Sequence, residues 1–164
     1  MKHFKHLFTA LLLLCSLTAT AHNFEIDGIY YNIVSLTDLT VEVTRSDNAY
    51  SGEVVIPSTV TYKSKVLDVI SIDKNAFRGS EKLTKVSIGT NVTTIEERAF
   101  ENCTGLTEIT IPDNVTSIEK RAFEDCTGLT NIRISNNIVS IAEYTFSGCS
   151  SLTAITLPEG VTSI

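Results

Sequence analysis

The chain is nearly devoid of histidine. Three are present, and two of them, His3 and His6, fall in an N-terminal leader-like stretch, so only His22 remains in the body of the protein. A Ser-His-Asp triad or a histidine-based zinc site needs histidine held among other side chains of the fold. An N-terminal His22 could chelate copper through its own amine, but a histidine brace requires a second histidine, and none follows. Tryptophan is absent and aromatic residues make up 7% of the chain, so the exposed aromatic anchors of an interface hot spot are scarce. Positive charge is also short. Thirteen Lys and Arg face 19 Asp and Glu, a formal net charge of −6, and loss of Lys2 and Lys5 with a leader would deepen it. That balance excludes nucleic acid as a partner, because phosphate contacts need a basic face, and it excludes electrostatic capture on an anionic membrane. No glycine-rich phosphate loop is present, and the stretch from Asp47 to Glu53 lacks the alternating oxygen ligands of a calcium loop. The paired carboxylates Glu96-Glu97 and Glu124-Asp125 are expected on solvated turns, without the burial that tunes a catalytic acid. No cofactor, no metal and no enzymatic activity are expected.

Long apolar runs are confined to the N-terminus. Lys2 and Lys5 form a positive start, Leu7 to Leu17 an apolar core, and Ala19-Thr20-Ala21 a small-x-small cleavage site. This is the pattern of a signal peptide over residues 1–21, shorter than the roughly 20 apolar residues of a membrane anchor. Leu12-Leu13-Leu14-Cys15 weakly resembles a lipobox, but the large Leu14 before the cysteine argues for ordinary cleavage before His22. The expectation is an exported chain, at the cell surface or secreted, with no transmembrane segment after cleavage. Periplasmic or lipid-anchored forms stay open as alternatives.

What the chain has in abundance is periodicity. Phe77, Phe100, Phe123 and Phe146 recur in one column, as do Leu83, Leu106, Leu129 and Leu152, and Ile72, Ile95, Ile118, Ile141 and Ile164. Val86, Ile109, Ile132 and Ile155 keep the same register. Internal repeats of this length are the signature of a solenoid. Within one unit, Ile109 and Ile111 alternate with Glu108 and Thr110, the period of a strand with one buried face. Pro112-Asp113-Asn114 is turn chemistry, and Val115 to Ile118 is a second short extended piece. Glu119 to Cys126 reads as a single helical turn, with Ala122 and Phe123 inward and the pairs Arg121/Glu124 and Arg98/Glu101 on its wet side. Thr127-Gly128 turns the chain back. Such a coil cannot bury both faces alone, so stacked copies at roughly 4.8 Å must share one core. Cys103, Cys126 and Cys149 occupy one column and are expected as free, buried thiols, because parallel Cβ atoms on stacked coils sit too far apart for a bridge. Asn91, Asn102 and Asn114 each begin an Asn-x-Thr sequon and are read as turn residues.

Residues 22–72 lack the period. Phe24 to Ile33, Leu39 to Thr44 and Glu53 to Pro57 read as strands, and Tyr62 to Val66 as a hairpin. They suit a β-rich cap sealing the first coil. At the other end, Ile164 stops midway through a coil, which favours a piece of a longer array over an end covered by a partner.

The columns Leu-x-x-Ile-x-Ile-Pro, Val-Thr-x-Ile, Ala-Phe and Cys-x-x-Leu are carried by Leu106, Ile109, Ile111, Pro112, Val115, Ile118, Ala122, Phe123, Cys126 and Leu129. This repeat resembles the BspA-like leucine-rich repeats of surface proteins from Bacteroidetes and some mucosal parasites. The resemblance covers residues 73–164, and the stretch from Phe24 to Pro57 is similar to the family's β-rich N-terminal cap. Gly89 and Ser135 depart from the proline, and Thr145 from the alanine. The expected fold is a leucine-rich-repeat β-solenoid of 23-residue coils, each with short parallel strands plus one helical turn, behind an N-terminal β-rich cap. The resemblance implies export, surface display and adhesion to host or bacterial proteins, and it supplies no catalytic residues. The candidate binding face comprises the outward strand positions Lys85, Ser87, Glu108, Thr110, Asn131, Arg133 and Thr156, facing an extracellular protein or glycan. The rival reading is a structural cap and spacer, with binding carried by repeats beyond Ile164.

Overall fold

The computed structural model describes residues 22–164; the export signal expected over residues 1–21 lies outside them. Eleven strands are described: β1 (Phe24–Ile26), β2 (Ile29–Ser35), β3 (Thr40–Val43), β4 (Gly52–Ile56), β5 (Thr59–Tyr62), β6 (Lys65–Ile72), β7 (Leu83–Ile88), β8 (Thr94–Ile95), β9 (Glu108–Thr110), β10 (Ser117–Ile118) and β11 (Asn131–Arg133). They form two sheets. One runs β1-β2-β3-β6-β8-β10 with β5 paired to β6, and the other runs β11-β9-β7-β4. Strands β7, β9 and β11 pair in parallel with Lys85 beside Glu108 and Glu108 beside Asn131. Strands β6, β8 and β10 do the same through Ile72, Ile95 and Ile118. Each partner is one repeat away, so the sequence period is the spatial period and the chain is a β-solenoid.

The strands of residues 24–72 are built into these sheets. β3 pairs in parallel with β6, and β4 in parallel with β7, so each repeat sheet starts on a non-repeat strand. The stretch from Phe24 to Ile33 is a hairpin rather than one strand. Asp27 and Gly28 both take positive φ, 51° and 78°, the two-residue turn that an Asp-Gly pair favours. Lys63 and Ser64, at φ 48° and 64°, close the β5–β6 hairpin in the same way.

The helical turn expected over Glu119 to Cys126 is a run of tight turns instead. An α-helix would return each N–H to a carbonyl four residues back in its own segment. Here the donors alternate. Ala122, Glu124 and Cys126 bond three residues back, to Glu119, Arg121 and Phe123. Arg121, Phe123 and Asp125 donate across to Glu143, Thr145 and Ser147 of the next coil. The same alternation holds in the two coils before it, so this segment is itself a stacking surface. It requires left-handed backbone at two places per coil. Asn75, Arg98, Arg121 and Tyr144 form one such column (φ 58–60°), and Gly79, Asn102, Asp125 and Gly148 the other (φ 56–74°). Two of the first column are arginines, which have no intrinsic liking for this region. The inter-coil hydrogen bonds hold them there.

The core is a column of stacked rings. Phe77, Phe100 and Phe123 are fully buried, with centroid spacings of 4.9 Å and 5.2 Å, then 5.7 Å to Phe146. Tyr50 caps the column at 4.5 Å from Phe77, its hydroxyl donating to the Thr44 carbonyl at 2.8 Å. Among the described residues, Cys103, Cys126 and Cys149 are free and buried. Each thiol also donates to the phenylalanine carbonyl of the preceding coil: Cys103 to Phe77, Cys126 to Phe100 and Cys149 to Phe123, all at 3.1 Å. Burial pushes the Cys103 thiol up to about 12, so the column holds no thiolate at neutral pH.

Three departures from the repeat gain reasons. A Cβ at Gly89 would lie 2.5 Å from Pro57 C and Ser58 N, so the β4–β5 connection packs directly onto it. The Ser135 hydroxyl donates to the Val115 carbonyl at 2.6 Å, and Thr145 donates to Ala142 at 2.7 Å. Gly128 has no positive φ. It is glycine because a Cβ would stand 2.3 Å from the Thr104 carbonyl oxygen; close approach of coils, rather than turn geometry, selects it.

Candidate binding face

The sheet β4-β7-β9-β11 turns every second side chain outward. Val54, Ile56, Val86, Ile109 and Ile132 point into the core, leaving two outward ladders. Pairing places Glu53, Lys85, Glu108 and Asn131 in the first, and Val55 beside Ser87 and Thr110 beside Arg133 in the second. Six of the seven expected face residues therefore lie on one sheet. Thr156 is exposed but falls in the following coil outside any strand. It joins Asn131 and Arg133 along a shallow hollow of about 680 Å³. Lys85, Ser87, Glu108 and Thr110 line a smaller one of about 260 Å³.

The charges on this face differ in freedom. Lys85 Nζ lies 3.8 Å from Glu108 Oε1, with both side chains about half exposed, a loose pair contributing roughly 0–1 kcal/mol. Arg133 is tied down: its guanidinium donates to both carboxylate oxygens of Asp113 at 3.3 Å. Asp113 also accepts the backbone N–H of Asn136 at 3.0 Å. That N–H first, and then Arg133, hold the Asp113 carboxyl below the usual carboxylate range. Arg133 thus orders the turn where proline is missing, besides standing on the face. Sequence reasoning overlooked Glu53 and Val55, which extend both ladders. The signal existed: Val54-Val55-Ile56-Pro57 repeats the x-Ile-Pro ending of the strand units, but outside the 23-residue interval.

Asp125 is exposed, as expected of a solvated turn, but Glu96, Glu97 and Glu124 are partly covered, and the Glu101 expected on the wet side is covered as well. Glu101 is buried between Arg78 at 2.8 Å and Arg98 at 3.6 Å, and Glu124 is largely covered beside Arg121 at 3.3 Å. Lys74, at 2.9 Å, leads the cations that hold Glu97 below its ordinary value. Glu96 behaves differently. With Glu42 and Asp73 it forms a trio of half-buried carboxylates whose oxygens lie within 4.8 Å of one another. Glu42 lies in β3, outside the periodic region, so the trio was not legible in the repeat. Thr44 donates to Asp73 at 2.8 Å; Asn32 and Ser71 reach Glu42 only at 3.5 Å. Burial, then the Asp73 charge, push the Glu42 and Glu96 carboxyls up. A carboxyl raised by folding contributes stability below its unfolded value, and that contribution is lost as pH rises through the folded one. Glu42→Gln is therefore expected to raise the thermal midpoint at neutral pH and to change little near pH 3, below the ordinary glutamate value of about 4.3. Equal shifts at the two pH values would contradict the repulsion.

The match of the chain to known proteins agrees with this geometry. A model of the BspA type leucine rich repeat region matches six copies over residues 70–164, more than half of the sequence. The chain belongs to the BspA-type leucine-rich repeat family. A crystal structure of a leucine-rich repeat protein from T. pallidum is similar, with a TM-score of 0.75 and 29% identity over 86% of this chain and 63% of that one. A leucine-rich cell surface protein from Faecalibacterium prausnitzii A2-165 gives a TM-score of 0.62 and 28% identity, covering 85% of this chain and 43% of that one. A leucine-rich repeat protein from Bacteroides capillosus ATCC 29799 gives a TM-score of 0.52 and 26% identity, covering 86% of each chain. The BspA-type chain thus spans less than two thirds of the first two relatives. No curated protein sequence is detectably similar to it. Among the described residues, no helix is long and apolar enough to cross a membrane.

Proposed function

We propose that this BspA-type protein is an exported, non-catalytic binding module, held at the cell surface or secreted, that engages an extracellular protein or glycan through its outward strand ladders. Residues 1–21 act as the signal peptide, 22–72 as the N-terminal cap and 73–164 as the repeat solenoid. The observation carrying this reading is the in-register row of Lys85, Glu108 and Asn131 beside Ser87, Thr110 and Arg133. Parallel coils repeat these positions at strand spacing, giving a flat, mixed-polarity surface suited to an extended partner.

The test is binding of the purified chain to an array of matrix proteins and glycans, beside a Lys85→Ala/Thr110→Ala double variant. Those two side chains are exposed and Lys85 makes only the loose pair with Glu108, whereas Arg133 anchors Asp113. A saturable ligand that the double variant binds at least tenfold more weakly, with an unchanged thermal midpoint, supports the face. The second reading is a cap and spacer for a longer array. It draws on β3, β4 and β6, which start the repeat sheets, and on Tyr50 over the ring column. A folded chain that binds nothing on the array would favour it.

A further inference from the structure

The repeat sheet has a free edge at its N-terminal end. Among the described residues, β4 is hydrogen-bonded to a strand on one side only, that of β7. Its other side opens on a cleft of about 710 Å³, the size of a ligand site. Residues of β4 line this cleft and none of β7 does, so the space lies on the unpaired side. The same holds for β5. Thr59 to Thr61 line the cleft, whereas β6, the strand that β5 pairs with, contributes nothing. Two unpaired strand edges, joined through Pro57-Ser58, therefore flank one cavity, with the β1–β2 turn closing the far wall. A strand edge that pairs with no other strand, lying along an open cleft, is a template for one more strand.

The charges select the occupant. Asp27 and Glu53 line the cleft, and no lysine, arginine or histidine does. Val55, 66% exposed, adds an apolar contact on the edge strand. A second copy is disfavoured, because it would bring a second Glu53 and a second Asp27 to the same cleft in a chain already carrying −6, and like charges brought together repel. An acidic segment is disfavoured for the same reason. We propose that this cleft captures an extended, basic polypeptide segment by strand addition to the free edge of β4 or β5, with lysine or arginine of the segment meeting Asp27 and Glu53. This site adjoins the outward ladders at Glu53 and Val55 but does not depend on their positions in β9 and β11.

The probe is a phage-displayed library of random eight-residue peptides, selected on the purified chain and on its Glu53→Lys/Asp27→Asn variant. Asparagine keeps the left-handed turn at position 27. The expected result is enrichment of basic, β-branched sequences on the unsubstituted chain, with a synthetic winner binding the variant at least tenfold more weakly. The same winner, N-methylated at alternate residues, should also lose at least tenfold, because strand addition needs its backbone donors. The Thr110→Ala variant, changed two strands away from β4, should bind it unchanged, which separates this site from the rest of the outward face. No enrichment on a folded chain overturns the proposal. So does a winner that binds the acid-depleted variant equally well, or one whose N-methylated form keeps its affinity, since that would be capture by charge alone.

Discussion

Phe123→Ala is expected to lower the unfolding free energy by about 3–5 kcal/mol, the cost of emptying a fully packed aromatic site. The ring is wholly buried and sandwiched, 5.2 Å from Phe100 on one side and 5.7 Å from Phe146 on the other. Its backbone is committed to the array as well: the N–H donates to Thr145 of the next coil, and the carbonyl accepts from Cys126 N–H and the Cys149 thiol. Alanine keeps all of these bonds, so the loss reads the ring alone. Phe146, only partly buried, should cost less on the same change. Glu124→Ala, which removes one ion pair with Arg121, should cost below about 1 kcal/mol. Denaturant unfolding of the three variants measures this, and equal losses at Phe123 and Glu124 would contradict the solenoid register.

The second large effect comes from adding a single methyl group. Gly128→Ala is expected to cost about 1–3 kcal/mol by overpacking, because its Cβ would meet the Thr104 carbonyl at 2.3 Å and backbone cannot swing aside. Gly79→Ala is costly for another reason. Nothing lies within 4 Å of its Cβ, but its φ is +72°, and a left-handed alanine costs roughly 1–2 kcal/mol. The two causes separate with asparagine. Asn102 and Asp125 already occupy the Gly79 column in left-handed conformation, so Gly79→Asn should recover most of the loss. Gly128→Asn should recover none, since its clash begins at Cβ. Recovery at both positions would show that close approach of coils does not set residue 128.

These predictions mark which features were written in the repeat and which were not. The columns of Phe, Leu and Ile named a stacked core, because an apolar residue recurring at one interval can be buried only against its own copies. Lys85, Glu108 and Asn131 followed as outward neighbours from strand alternation alone. The local conformation of Glu119 to Cys126 did not follow. Its spacing of apolar residues suits a helical turn, but the deciding partners are carbonyls of the next coil, which a window on one coil cannot see. Arg98 and Arg121 in left-handed backbone are products of that lattice, as no propensity would place them there.

The non-periodic half divides in the same way. Sequence alone named strands over Leu39 to Thr44 and Glu53 to Pro57 and a hairpin at Tyr62 to Val66, because alternation and turn chemistry are local; the turn at Asp27-Gly28 that splits Phe24 to Ile33 went unread. Only the tertiary structure decided that β3, β4 and β6 begin the repeat sheets, and that Glu42 meets Asp73 and Glu96. It alone revealed that Gly89 and Gly128 are glycines by contact, and that β4 keeps one edge open beside an acidic cleft. Each of these depends on residues far apart in the chain approaching closely, and on register between strands of unequal sequence spacing. A periodic sequence specifies how its own copies stack; it does not specify how a non-periodic segment docks on the first of them, because no second copy of that contact exists to be read.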